Sequence, residues 1–278
     1  MLFYTLDNQP LQYGCNVTVV GCGGTGGFVA ESLCRILPER AVLLLIDPDR
    51  VEERNLLRQN FYITDLGKYK SEALAHRLAA RFNRPVAYST LPVSMVKGTH
   101  NIIIGCVDNG LARGSIAEIA SPRGYQAQSS LSGWWVDAGN AENYGQILIG
   151  NTSTAQLCPS FGVIKRGAVY RDICVALPLP TIQRPELLKQ APRVNNCAAA
   201  VAQNDQSPTI NQAMASLVIE VVRRIMNGTC PWMGLYLDME AGSLSPVYAT
   251  PEVVSRVTGI HERKLIHTDR KRQRGGDS

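Results

Sequence analysis

Along the first half of the chain, short aliphatic runs alternate with longer stretches whose apolar residues recur at helical spacing. Residues 16–20, 41–46, 85–90 and 101–104 read as strands buried on both faces. Between them, residues 26–36, 68–82 and 110–120 read as helices, the second with a stripe at Leu74, Leu78 and Phe82. Such alternation predicts an α/β fold, a doubly wound and mostly parallel sheet with helices on both faces. Residues 134–138 and 146–149 read as later strands. From 151 to 207 Pro, Gly and Asn are frequent and periodicity fades, so a long crossover loop with a functional use is expected. Pro208, a good first helical residue, opens a helix to about Met226 that Asn227-Gly228 ends. Strands near 235–239 and 246–248 follow. One domain is expected over 1–259: a first half at 13–150, the crossover at 151–207, and a closing helix and strands at 208–250. Residues 260–278 read as a basic flexible tail.

Composition narrows the class. The chain has 278 residues, 45% hydrophobic and 18% charged, which fits a globular protein and excludes intrinsic disorder. No aliphatic run is long enough to cross a bilayer. The first ten residues lack the basic flank and apolar segment of a secretory signal, so a cytoplasmic protein is expected. Of the net charge of +5, residues 261–278 contribute +3; that is a solvated basic terminus, and nucleic acid is not expected as a partner. The eight cysteines, at 15, 22, 34, 106, 158, 174, 197 and 230, include no C-x-x-C pair. They read as thiols, and no structural zinc is expected.

Candidate chemistry begins at Gly21-Cys22-Gly23-Gly24-Thr25-Gly26, which follows a strand and opens a helix. Gly21, Gly23, Gly24 and Gly26 let the backbone approach a phosphate, and the helix N-terminus offers free N–H groups to an anion. Asp47 ends the next strand, where a carboxylate can hold ribose hydroxyls. This much fits NAD as well as ATP. Asn55 and Arg58 then fall on one side of a helical turn. Lys70, four residues before Leu74, continues the inward stripe of its helix and aims at the crevice rather than into water. Asp108-Asn109 follows a strand and precedes a helix; the bland reading is an N-cap pair. Strand C-termini are where open α/β sheets bind ligands, so Asp108 is well placed for Mg²⁺. Arginine, lysine and a metal-binding carboxylate suit nucleotidyl transfer; hydride transfer needs none of them.

In order and spacing, Gly-x-Gly-Gly-x-Gly, Asp47-x-Asp49, Asn55-x-x-Arg58-Gln59, Asp65-x-Gly67 with Lys70, and Asp108-Asn109 resemble the ThiF/MoeB and ubiquitin-activating enzymes. These adenylate the C-terminal carboxylate of a ubiquitin-like protein. The resemblance covers about residues 13 to 150 and implies an ATP- and Mg²⁺-dependent enzyme with a Rossmann-like adenylation domain. It implies that Gly21, Gly23, Gly24, Gly26, Asp47, Asp49, Asn55, Arg58, Lys70, Asp108 and Asn109 form the nucleotide site. Asn55, Arg58 and Lys70 would contact phosphates and Asp108 would hold Mg²⁺. A homodimer, a ubiquitin-like substrate ending in Gly and a downstream conjugating enzyme are the implied partners. Cys158 and Cys230 stand singly where the family often has zinc cysteines.

The segment Arg193-Val194-Asn195-Asn196-Cys197-Ala198-Ala199 looks like the family's segment around an active cysteine. The resemblance makes Cys197 a nucleophile, since a thiolate can displace AMP from an acyl adenylate to give a thioester. Cys174 is the second choice, and an inert buried thiol is the bland one. Rival readings are an enzyme that stops at the adenylate, for sulfur transfer in cofactor synthesis or on a tRNA-linked carboxylate, an NAD-dependent oxidoreductase, and a non-catalytic scaffold.

Overall fold

Alternation of side chains across a strand explains how one sheet serves two cores. The computed structural model describes residues 3–4, 15–96, 100–120, 133–153, 157, 160–166, 169–174, 176–189 and 208–266. After a two-residue strand, β1 (Phe3–Tyr4), the aliphatic runs form β2 (Asn16–Val20), β3 (Val42–Ile46), β4 (Val86–Ser89), β5 (Ile102–Gly105) and β6 (Trp134–Asn140). These five are parallel in the order β4-β3-β2-β5-β6. On one face Val17, Val19, Ile102, Ile104, Trp134 and Val136 enter a large core that includes helices α1 (Gly24–Ile36) and α2 (Lys70–Phe82). On the other, Val20, Ile46, Ile103 and Trp135 pack with Ile116 and Ala120 of α3 (Gly110–Ala120). The doubly wound sheet is therefore as the sequence predicts.

Strand β7 (Tyr144–Gly150) pairs antiparallel with β6. Two further strands, β8 (Phe161–Arg166) and β9 (Val169–Cys174), form an antiparallel pair, and β9 takes β1 alongside in parallel to make a separate three-stranded sheet. A short α4 (Pro180–Gln183) precedes the long α5 (Pro208–Met226), which packs on α1. Strands β10 (Trp232–Asp238) and β11 (Ser243–Tyr248) extend the main sheet beyond β7 to eight strands. Helices α6 (Pro251–Thr258) and α7 (Glu262–Leu265) close the described chain. Among the described residues no helix is long and apolar enough to cross a membrane.

One expectation is corrected and another filled in. The described part of the 151–207 crossover holds β8, β9 and α4, and Leu157, Leu177 and Leu179 are buried. The buried Asn151 side chain accepts the Leu177 N–H at 2.8 Å, and Leu177 O accepts from both Asn151 N and Thr152 N. Order does not end at Gly259. Leu265 is fully buried in the main core and Ile266 bridges to Phe161, so the packed chain runs at least to Ile266.

Leu265→Ala should therefore cost about 2–4 kcal/mol, the range for emptying a buried leucine site. Urea unfolding checks this. A cost below about 0.5 kcal/mol would mean that the segment after Gly259 contributes surface and no core.

Candidate functional site

Strands β2, β3 and β4 step to one side of the sheet and β5 and β6 to the other, so the order reverses between β2 and β5. At such a switch point the loops leaving the strand C-termini part and open a crevice. A cleft of about 780 Å³ lies there. Its floor is the glycine turn. Gly21 sits at φ +87°, and a Cβ on it would meet Cys106 O at 2.4 Å. Gly23 is the N-cap of α1, and no side chain caps that helix. Gly26 does not line the cleft; a Cβ there would stand 1.8 Å from Gly21 O, so its role is to let α1 close onto β2. Gly24 lines the cleft and has its Cα side against Asn211 of α5, where a Cβ would lie 2.4 Å from Nδ2.

On the β3 side, Asp47 is 5% exposed. Its Oδ2 accepts the Cys22 N–H at 2.6 Å and its Oδ1 accepts the Asp49 N–H at 2.8 Å. Burial raises its pKa, while the nearby Lys70 cation and these two N–H groups pull it back. Lys70 opens α2, and its Nζ donates to Asp49 Oδ2 at 3.0 Å. The side chain is 11% exposed and lines the cleft. Lys68 is half in solvent, 3.9 Å from Asp65. Asn55 and Arg58 come from the loop between β3 and α2. Asn55 is buried and its Oδ1 accepts the Glu52 N–H at 2.9 Å. The loop is braced by Asp65, which accepts from Arg77 Nη1 at 2.6 Å, while Arg77 Nη2 donates to Asn60 O.

On the β5 and β6 side, Asp108 is exposed and Asn109 Nδ2 donates to it at 3.3 Å. Asn109 Oδ1 accepts the Ala112 N–H at 2.8 Å, so Asn109 caps α3 as the bland reading has it. Beyond it Arg113 donates from Nε to Asp137 Oδ2 at 3.1 Å and Oδ1 at 3.2 Å. Asp137 is wholly buried, and burial pushes its pKa up to about 6, with the Arg113 cation acting against the rise. All the residues proposed from the sequence for the nucleotide except Gly26 line this one cleft: Gly21, Gly23, Gly24, Asp47, Asp49, Asn55, Arg58, Lys70, Asp108 and Asn109. Among the described residues no group of three or more His, Cys, Asp or Glu could jointly hold a metal.

A profile of the ThiF family matches residues 9–230 of the chain. The chain belongs to the ThiF family. It is 28% identical over 205 residues to the ubiquitin-like modifier-activating enzyme 5 of Oryza sativa subsp. japonica, covering 63% of this chain and 46% of that protein. The Arabidopsis thaliana protein of the same name is 28% identical over 208 residues, with the same coverage. The chain thus spans about half the length of these relatives. Among solved structures, E. coli MccB with ATP aligns at TM-score 0.55 and 16% identity, covering 85% of this chain and 64% of that one. PaaA aligns at TM-score 0.53 and 18% identity, covering 85% and 65%. At these identities the likeness shows the fold.

Five residues at or behind the ThiF-family cleft, Thr25, Asn140, Asn211, Arg113 and Asp137, have no role in the sequence reading. Thr25 Oγ1 lies 3.2 Å from both Asn140 Oδ1 and Asn211 Oδ1, Asn140 Nδ2 donates to Asn211 Oδ1 at 3.1 Å, and Asn211 Nδ2 donates to Arg58 O at 3.3 Å. This largely buried amide network ties α5 to the glycine turn and to the Arg58 loop, with Asn140 reaching the cleft. Asp137 carried a signal, a charge inside the apolar strand Trp134-Trp135-Val136, since a buried charge requires a partner; that the partner is Arg113 comes only from the fold. Of the cysteines, 197 and 158 lie outside the described residues. Cys174 ends β9 opposite Phe161 and Tyr4.

Burial raises the thiol pKa of the remaining five, Cys15 to about 11 and Cys230 to about 12, with Cys22, Cys34 and Cys106 raised as well. Only a thiolate alkylates readily. In the folded protein at pH 7.5, iodoacetamide mapped by mass spectrometry should label these five at least about ten-fold more slowly than in urea. Fast native labelling of Cys22 or Cys106 would contradict their placement.

Proposed function

We propose that this ThiF-family protein is an ATP-dependent adenylating enzyme that activates the C-terminal carboxylate of a ubiquitin-like protein. The observation that carries the reading is one cleft at the switch point lined by the glycine turn, Asp47, Asn55, Arg58, Lys70 and Asp108. The uncapped N-terminus of α1 suits phosphate, and Asp47 suits ribose hydroxyls. Arg58 and Lys70 bring cations to the charge that develops on the phosphates, with Asp49 fixing the lysine. The exposed Asp108 carboxylate fits Mg²⁺, which is bound by one or two carboxylates together with phosphates and water. When bound, Mg²⁺ supplies charge neutralisation on the departing pyrophosphate. A carboxylate oxygen attacks the α-phosphorus, the bond from that phosphorus to the bridging oxygen breaks, and pyrophosphate leaves with the electron pair.

The reading continues with transfer. Cys197 thiolate attacks the acyl carbon, a C–S bond forms and AMP departs, leaving a thioester for a conjugating enzyme. Cys15, Cys22, Cys34 and Cys230 are buried and Cys106 is half-buried, which supports a choice between Cys197 and Cys174. The names of the plant relatives support a ubiquitin-like substrate, and the reading includes a homodimer.

ATP–pyrophosphate exchange tests the first step. Asp108→Ala should abolish it in a folded protein, and Lys70→Ala should lower it about 10²–10³-fold. Lys68→Ala should stay within about two-fold, since an exposed ion pair contributes little. Equal losses from the two lysines would remove Lys70 from the phosphate site. The second step is read on a non-reducing gel with MgATP and the ubiquitin-like partner. Cys197→Ser should lose the reductant-sensitive conjugate while still forming acyl-AMP, and Cys174→Ser should keep it. The reverse pattern would move the nucleophile to Cys174; no conjugate in wild type would leave an enzyme that stops at the adenylate.

A further inference from the structure

Two arginines in this protein are used in opposite ways. Arg84 spreads both Nη groups over four backbone carbonyls, those of Cys34, Leu37, Pro38 and Ala41, at 3.0–3.3 Å. That is an arginine consumed by the fold. Arg113 is more deeply placed than the half-buried Arg84, with its side chain 8% exposed, yet only its Nε is engaged, by the fully buried Asp137. Among the described residues neither Nη1 nor Nη2 of Arg113 has a hydrogen-bonding partner, although the residue lines the cleft beside Gly139 and Asn140. Gly139 leaves the approach open: a Cβ there would stand 3.4 Å from Nη2. Neither Nη atom is sealed from the cleft, so a guanidinium held by its Nε alone presents a free two-pronged donor to an oxygen anion that enters.

We propose that Arg113, oriented by Asp137, is the subsite that receives the C-terminal carboxylate of the polypeptide substrate. The inference rests on the adenylation reading and adds where its nucleophile sits. The sheet order β3-β2-β5-β6 sets Lys70 and Asp49 on one side of the glycine turn and Arg113 on the other. With the phosphates drawn between Lys70, Arg58 and Asp108, Arg113, one turn further along α3, is left for the carboxylate that attacks the α-phosphorus. Nucleotidyl transfer requires nucleophile and leaving group roughly in line. Two parallel Nη–H donors match the two oxygens of a carboxylate, and the Asp137 clamp means that the fork needs no ordering on binding. Arg113 takes and gives no proton in the step.

The test uses the full chain and a minimal probe, acetyl-Gly-Gly as the free acid, with its C-terminal amide as control. The Nε–Hε resonance of Arg113, assigned by its loss in Arg113→Lys, is followed in ¹⁵N-labelled protein saturated with a non-hydrolysable ATP analogue. The acid should shift it saturably and the amide should not. Arg113→Lys, which keeps the charge and loses the fork, should weaken the acid by about ten-fold or more and leave ATP affinity within about two-fold. Arg113→Ala is avoided, because it strands the buried Asp137 carboxylate. No saturable shift, equal binding of acid and amide, or an equal loss of ATP affinity in Arg113→Lys would overturn the proposal, the last by giving Arg113 to a phosphate. Because the readout needs no turnover, absent ATP–pyrophosphate exchange beside intact acid binding would sink the adenylation reading and leave the subsite standing.

Discussion

One buried carboxylate holds the two turns on which the cleft depends. Asp47 ends β3 and gives one oxygen to the Cys22 N–H of the glycine turn and the other to the Asp49 N–H of the next loop. Without it, two backbone donors at the switch point would lose their acceptor, at about 1–3 kcal/mol each where they are buried. The chain of consequences is short. Asp49, fixed by that bond, accepts both the backbone N–H of Lys70 at 2.8 Å and its Nζ at 3.0 Å. The position of the lysine cation and the shape of the glycine turn are thus set by the same side chain.

The second wall is built independently and meets the first through the sheet. Gly105, the last residue of β5, leaves room for Trp135 and Asp137, which would stand 2.9 and 3.0 Å from a Cβ there. Asp137 can be buried because Arg113 reaches it from α3, one turn after the Asn109 cap starts that helix. Behind the glycine turn, Asn211 connects α5 to Thr25 and to the Arg58 carbonyl. This amide network adds a polar contact to the packing of α5 on α1, and so joins the nucleotide floor to the helix that follows the Cys197 segment.

The sequence made the parallel strands legible because their aliphatic runs are buried on both faces, and it made most of the cleft legible because glycine spacing and strand-end acids are backbone-local signals. What it hid is of three kinds. Strands β8 and β9 mix apolar and charged residues without strict alternation and pair mainly with each other, so they carry no strong period. Helix α6 had its signals in plain view, the Thr250 cap at 3.2 Å from Val253 N, Pro251 at its first position and Gly259 at φ +72°, but only eight residues of helix between them. The Asn211 network and the Arg113–Asp137 pair join positions 186 and 24 apart in the chain, a pairing that only the assembled sheet creates. The tail was misjudged because its basic residues outnumber the two apolar ones that anchor it, Leu265 and Ile266.

A cleft of this build should take a nucleoside triphosphate and not a dinucleotide redox cofactor. Calorimetric titration of the wild-type protein with MgATP and, separately, with NAD measures that directly. Saturable MgATP binding in about the micromolar to millimolar range is expected, with no measurable heat from NAD at the same concentrations. NAD binding tighter than MgATP would contradict it.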